Sequence, residues 1–114
     1  MSASTDPAEV LEGAEEVVLA VPSQSLRGNL ETWVRSFEPD AGVISLAKGI
    51  ETGTLMRISE VVAEVVGLPE SRIAALSGPN LAREIAEGHP AATVIACSDE
   101  ERAARLQDAF STPY

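Results

Sequence analysis

The sequence is long enough for one folded domain, because it has 114 residues and 45% of them are hydrophobic. The formal net charge of -10 excludes proteins that bind nucleic acid or an anionic membrane through a basic surface. An anionic ligand must therefore be held by a local site.

Cysteine content and the lack of targeting signals predict a cytoplasmic protein with no membrane partner. The single cysteine, Cys97, cannot form an internal disulfide, and we expect it to be an inert, buried thiol. No apolar run approaches the roughly 18 residues of a membrane span. The first residues, Met1 to Asp6, lack the basic and apolar regions of a signal peptide.

Four short runs rich in Val, Ile, Leu and Ala are separated by helix-like stretches, which predicts an α/β fold. None of the runs alternates between apolar and polar residues. We therefore expect strands buried on both faces of a mostly parallel sheet, with helices on both faces. The runs are Val17 to Val21, Val43 to Ala47, Ile73 to Leu76 and Ala92 to Ala96.

Capping residues and apolar spacings of three and four predict the helices. The first helix is predicted to begin at Asp6 and Pro7 and to stop before Gly13, and the last to begin at Ser98 with Glu101 completing a capping box. Two more are predicted from apolar stripes, formed by Leu26, Leu30, Trp33, Val34 and Phe37 and by Leu55, Ile58, Val62 and Val65.

The order of these elements indicates an incomplete nucleotide-binding domain. A helix leads into the first run, whereas such a domain normally opens with a strand. The sequence contains no Gly-x-Gly-x-x-Gly, the turn that holds the pyrophosphate of a dinucleotide. We interpret residues 1–114 as part of one Rossmann-like dinucleotide-binding domain.

Lys48 is the sharpest candidate for a binding residue. Ligands bind beyond the carboxyl ends of parallel strands, and Lys48 directly follows the second run. It is the only lysine in the chain, because the other seven basic residues are arginines. This bias toward arginine indicates that position 48 needs the compact ammonium group of lysine. The alternative explanation is that the single lysine stands there by chance.

The other two strand ends carry weaker signals. After the third run, Ser77-Gly78-Pro79-Asn80 predicts a turn in which Asn80 caps a short helix that ends at Gly88. The N–H groups at the start of that helix would favour a phosphate, although an ordinary capped turn is the commoner source of such a pattern. Pro22-Ser23, after the first run, is a candidate contact with a cofactor. His89 lacks neighbours that would complete a metal site, and we expect none.

Three segments at the ends of the first three runs together carry a resemblance to a known family. They read VLAVPS (18–23), SLAKGIE (45–51) and SGPNLAREI (77–85), and the stretches 90–93 and Thr112-Pro113-Tyr114 agree with them. In wording, order and spacing they resemble the NAD(P)-dependent glycerol-3-phosphate dehydrogenases. The resemblance implies hydride transfer between NADP or NAD and a small phosphate substrate, the pair dihydroxyacetone phosphate and sn-glycerol 3-phosphate, in glycerophospholipid biosynthesis.

The resemblance also implies roles for individual residues. Lys48 matches a lysine that contacts both the nicotinamide cofactor and the substrate. Gly78 and Asn80 match positions that line the phosphoglycerol site, and Ala82 matches a cofactor contact. The family's proton-transfer lysine is expected beyond Tyr114, so no catalytic residue is assigned in this chain, and we expect the chain alone to be an inactive fragment.

Two alternatives remain open. A related NAD(P) reductase of a keto acid or an imine would share Pro22-Ser23, although the later two motifs favour glycerol-3-phosphate dehydrogenase. A non-catalytic, truncated interaction domain would self-associate through its exposed sheet edge. The sequence does not choose between NADP and NAD, and it is compatible with a homo-oligomer.

Overall fold

The computed structural model describes residues 1–113, so Tyr114, the last residue of one quoted motif, lies outside the described residues. Within this range, one four-stranded sheet is covered by α-helices, none of which is long and apolar enough to cross a membrane. The strands are β1 (Glu16–Leu19), β2 (Gly42–Ser45), β3 (Ile73–Ser77) and β4 (Val94–Cys97). The helices are α1 (Pro7–Leu11), α2 (Leu26–Trp33), α3 (Ile58–Val66), α4 (Ala82–Ala86) and α5 (Glu100–Phe110).

The sheet is mostly parallel, as predicted. Its strand order is β1-β2-β3-β4, with β1, β2 and β3 parallel and β4 antiparallel to β3. Val43 is the register partner of both Val17 and Ile73, and Ser77 pairs with Val94. The carboxyl ends of the three parallel strands therefore meet the beginning of β4 at one edge of the sheet.

Helices cover both faces of the sheet, which confirms the predicted class of α/β fold. On one face, Leu26 and Leu30 of α2 and Val62 of α3 belong to the larger core cluster, to which α1 also contributes. Trp33 and Phe37 pack against this cluster. On the other face, α5 contributes Leu106 to a smaller cluster with Ile44 and Ala74.

The prediction that all four strands are buried on both faces is wrong for three of them. Only β2 is buried along its whole length, whereas β1 alternates between exposed and buried residues, with Val18 45% exposed. In β4 every residue is exposed or only part-buried. A run of apolar residues shows that a strand can be buried, but the helices packed on the sheet decide how much of it is.

Several predicted helix boundaries are also corrected. Leu55 precedes α3, because its backbone is left-handed (φ 59°) and its side chain is 78% exposed. Helix α5 is capped by Asp99 instead of Ser98, since the Asp99 carboxylate accepts from the backbone N of Arg102 at 3.0 Å. Helix α2 tightens after Trp33 into a 3₁₀ turn. The predicted cap at Asp6 is confirmed by a 3.0 Å bond from the backbone N of Ala8.

An ion pair holds α5 to the edge of the sheet where the parallel strands begin. The buried Arg102 guanidinium donates to the Glu16 carboxylate at 2.5 Å. Burial lowers the pKa of Arg102, but its hydrogen bonds to Glu16 and Cys97 outweigh that effect, so the pKa stands above its ordinary value. Cys97 is part-buried, and its thiol contacts the Ser71 carbonyl at 3.5 Å.

Candidate functional site

Three loops meet at the edge of the sheet where the parallel strands end. They follow β1, β2 and β3 and carry Ser23, Lys48 and Gly78, the candidate residues of three separate sequence motifs. In open α/β sheets this edge is where ligands bind. The fold therefore places the predicted site residues where such a site is expected.

Lys48 joins the three loops through hydrogen bonds. Its ammonium Nζ donates to the carbonyl oxygen of Gly78 at 3.0 Å. Its own carbonyl oxygen accepts from the Ser23 hydroxyl at 2.9 Å. Lys48 is exposed, so its ammonium group lies at the surface of this edge, within reach of a ligand. The neighbouring Pro22 is also exposed, just ahead of the 3₁₀ turn that Ser23 begins.

Gly78 lies where the loop after β3 touches the segment before β4. A Cβ added to Gly78 would overlap the carbonyl oxygen of Ala92 and would lie 3.2 Å from the Cα of Thr93. Any side chain would therefore push against backbone atoms, which move less readily than the end of a flexible side chain. The close approach explains why a residue without a side chain stands at this point of the site.

Asn80 does not cap the following helix, so that prediction is wrong. The cap of α4 is Leu81, which has extended backbone angles and makes no side-chain capping bond. The Asn80 amide instead turns back toward Gly78, where an added Cβ would lie 3.0 Å from Nδ2. Asn80 Oδ1 is buried and has no hydrogen-bond partner within residues 1–113, which is unusual for a buried polar atom.

Helix α4 is short and loosely packed. It spans five residues, from Ala82 to Ala86, instead of reaching from Asn80 to Gly88. All of its residues are exposed, including Ile85 at 51%, and Leu81 before it is 60% exposed. Ala82, the predicted cofactor contact, thus begins an exposed turn beside the site.

The sequence did not single out Gln24 and Arg27, which lie directly behind the Lys48 loop. The Gln24 amide donates to the carbonyl oxygen of Ile50 at 2.9 Å. Arg27 donates to both carboxylate oxygens of Glu51, at 3.0 and 3.2 Å. A signal was present in the sequence, since Ser23, Gln24 and Arg27 lie close together along the chain, but their partners lie 24 to 37 positions away.

The Arg27–Glu51 pair is electrostatically well matched. Hydrogen bonds from Arg27, and then from the Thr54 hydroxyl at 2.6 Å, hold the pKa of the Glu51 carboxyl below its ordinary value. Conversely, hydrogen bonds to Glu51 and Glu64 raise the pKa of Arg27. Glu51 therefore stays ionised at neutral pH although it is only 7% exposed.

The geometry suits a small anionic molecule that carries a polar group. Lys48 supplies an exposed positive charge in a chain whose net charge is -10. Beside it, Gly78 lets the segment before β4 pack closely, and the buried Asn80 Oδ1 is an unused acceptor that a ligand would reach only if the side chain turned outward. The 114 residues contain no glycine-rich turn to hold a pyrophosphate. Within residues 1–113 no group of three or more His, Cys, Asp or Glu could hold a metal ion.

Comparison with protein families gives a match over most of the chain. Residues 1–103 match the model of the NAD-dependent glycerol-3-phosphate dehydrogenase N-terminus. The match includes all three loops of the candidate site.

Individual proteins agree with this match. The chain is 59% identical over 114 residues to the glycerol-3-phosphate dehydrogenase [NAD(P)+] of Corynebacterium urealyticum, and 61% identical over 119 residues to that of Nocardia farcinica. All of this chain is covered in both comparisons, but only 34% and 35% of the relatives. The crystal structure of glycerol-3-phosphate dehydrogenase from Coxiella burnetii superposes with a TM-score of 0.84 at 25% identity, over 94% of this chain and 32% of that one. The chain thus spans about a third of the length of the curated relatives it matches.

Proposed function

Because this chain belongs to the NAD-dependent glycerol-3-phosphate dehydrogenase family, we propose that it forms part of an enzyme that interconverts dihydroxyacetone phosphate and sn-glycerol 3-phosphate. The nicotinamide cofactor, NADP or NAD, supplies or accepts the hydride when bound. The chain contributes the part of the site that orients the substrate beside it.

The convergence of Ser23, Lys48 and Gly78 at one sheet edge is the observation that supports this proposal. We assign Lys48 to the substrate, because its ammonium group can donate to a phosphate or to a carbonyl oxygen that gains negative charge during reduction. The same group also faces the nicotinamide. Gly78 and Asn80 line the phosphoglycerol site. The unpaired Asn80 Oδ1 is buried, so it would accept a hydrogen bond from a hydroxyl of glycerol phosphate once the side chain turns toward the ligand.

The remaining cofactor contacts are proposed on the two flanking loops. Pro22 and Ser23 face the cofactor from the loop after β1, and Ala82 faces it from the start of α4. The Ser23 hydroxyl already donates to Lys48, so Ser23 contributes to cofactor binding through the position of its backbone. We further propose that the whole enzyme is cytoplasmic, acts in glycerophospholipid biosynthesis and forms a homo-oligomer.

Activity of a full-length chimera tests the proposed function. In the chimera this chain replaces the matching third of the Corynebacterium urealyticum relative. We expect the chimera to oxidise NADH or NADPH when dihydroxyacetone phosphate is added, and the 114-residue chain by itself to show no rate above background. The rates are read from the absorbance of the reduced nucleotide.

A keto acid and a cyclic imine serve as rival substrates in the same assay. Faster reduction of either than of dihydroxyacetone phosphate would contradict the proposal in favour of a related reductase. A chimera that folds but reduces none of them, while the chain alone self-associates on a sizing column, would favour a non-catalytic interaction domain.

The 114-residue chain should bind NADH and NADPH weakly, with a Kd above about 100 μM, because it contains no glycine-rich turn to hold the pyrophosphate. Titration calorimetry of the chain, beside the chimera as the positive control, measures this directly. Low-micromolar binding by the chain would show that these residues anchor the dinucleotide without that turn.

A further inference from the structure

We propose that Ser23, Gln24 and Arg27 form a clamp that positions Lys48, so that Arg27 and its partner Glu51 act as positioning residues for the substrate lysine. The inference rests on the proposed function of Lys48. It concerns the loop between β2 and α3, residues 46–57, in which Lys48 and Glu51 lie three positions apart. Hereafter the three residues are called the clamp.

The uncharged part of the clamp binds the backbone of this loop. Ser23 donates to the carbonyl oxygen of Lys48 itself, at 2.9 Å. Gln24 uses both ends of its amide, because Nε2 donates to the Ile50 carbonyl at 2.9 Å and Oε1 accepts from the backbone N and the hydroxyl of Thr52 at 2.9 and 2.7 Å. Two adjacent side chains thus fix the loop on both sides of Gly49.

The charged part of the clamp joins the side chain of Glu51, in the loop, to helices α2 and α3. Arg27 donates through Nε and Nη2 to Glu51 and through Nη1 to Glu64 of α3, the last at 2.8 Å. Glu51 is one of the few buried polar side chains within residues 1–113, and a buried carboxylate is costly unless a partner neutralises it. The pair therefore holds Glu51 inward, tying the loop to α2 and α3 together.

Lys48 needs such support because its own backbone lies in a loop and its side chain is exposed. The side chain is exposed, and the next residue, Gly49, has a left-handed φ of 101°, a conformation that glycine adopts without strain. Gly53 and Leu55 add two more left-handed residues to the loop, with φ of 93° and 59°. No strand or helix holds the Lys48 backbone, so the clamp sets the place from which its side chain starts, and the bond from Nζ to the Gly78 carbonyl oxygen holds its end. A misplacement of about 1 Å can cost on the order of 100-fold in rate.

Substitutions in the full-length chimera test the clamp. Arg27→Gln keeps a polar but shorter and uncharged side chain, and it removes the paired donors to Glu51. We expect it to lower kcat/KM about tenfold and to raise KM for dihydroxyacetone phosphate, because a displaced Lys48 binds substrate poorly. Loss of folded enzyme alone would lower the apparent kcat and leave KM unchanged. Gln24→Ala, which truncates an exposed side chain, should raise KM about threefold without lowering the thermal midpoint.

Two arginines provide matched controls. The Arg35 side chain is exposed and makes no hydrogen bond or ion pair in the part of the chain that the structure describes, so Arg35→Gln should keep kcat/KM within about twofold. Arg102 lies in an ion pair at the opposite edge of the sheet. Arg102→Gln should therefore lower the thermal midpoint and leave KM unchanged.

A double-mutant cycle with Lys48→Ala separates the clamp from the proposed function. If the clamp acts through Lys48, adding Arg27→Gln to Lys48→Ala should lower kcat/KM by less than about twofold. Full additivity, or a normal KM in both Arg27→Gln and Gln24→Ala, would overturn the clamp while leaving the Lys48 assignment intact. Normal kinetics of Lys48→Ala itself would instead overturn the role of Lys48, and the clamp inference with it.

Discussion

Replacement of Lys48 by arginine in the full-length chimera should lower kcat/KM by roughly 30-fold or more, although the positive charge is kept. The guanidinium group is wider and planar, and it cannot take the place of a compact ammonium group between Gly78 and a substrate. Lys48→Ala should lose as much or more. Removal of one charged contact that strengthens in the transition state costs on the order of 2 to 4 kcal/mol, which corresponds to about 30- to 1000-fold.

Steady-state kinetics of both Lys48 variants, beside their thermal midpoints, measure this effect. Stability should change little, because Lys48 is exposed and contacts few core atoms. Near-normal kcat/KM in Lys48→Arg, or unfolding of both variants, would contradict the assignment of Lys48 to the substrate site.

Gly78→Ala should damage both stability and activity of the chimera. The new Cβ would overlap the carbonyl oxygen of Ala92, and relief requires a shift of backbone on one side of the site. We expect the free energy of unfolding to fall by about 1 to 3 kcal/mol, as for other overpacked positions. Because the Gly78 carbonyl also accepts from Lys48, we expect kcat/KM to fall about 10- to 100-fold.

Gly28→Ala is the matched control for the change at Gly78. Gly28 lies within α2 and an added Cβ would meet nothing within 4 Å, so alanine should stabilise the helix by roughly 0.5 to 1 kcal/mol. The thermal midpoint should therefore rise in Gly28→Ala and fall in Gly78→Ala. The loss of kcat/KM should be much larger in Gly78→Ala than in Gly28→Ala. Equal behaviour of the two variants would mean that the contact between Gly78 and Ala92 is not tight in solution.

The pairing of Glu51 with Arg27 also makes the stability of the folded chain depend on pH. The pKa of Glu51 is lower in the folded chain than its ordinary value, so its stabilising contribution is present above that ordinary value. It is lost as the pH falls through the folded pKa. The loop that carries Lys48 should thus be held less firmly in acid, where Glu51 is protonated.

Short-range patterns in the sequence were enough to predict the order and type of the main elements. Apolar runs located all four strands to within about two residues, because burial in a sheet requires apolar side chains whatever their neighbours are. The cap at Asp6 was correct, since it bonds only two residues away. The same patterns misplaced the cap at Ser98, because the adjacent Asp99 competes for the same N–H groups. They also misplaced the cap at Asn80, because its side chain turns toward Gly78 and the helix begins one residue later, after Leu81.

The sequence by itself also determined the family, through three motifs that each lie beside a strand end, and it picked out Lys48, Gly78 and Ser23 as residues of one edge. Only the tertiary structure decided how they meet. The bonds from Ser23 to Lys48 and from Lys48 to Gly78 span 25 and 30 positions, and the pairing of Arg27 with Glu51 spans 24. Spacing along the chain carries no information about such contacts, because the crossovers of the parallel sheet bring these residues together only after the strands have paired.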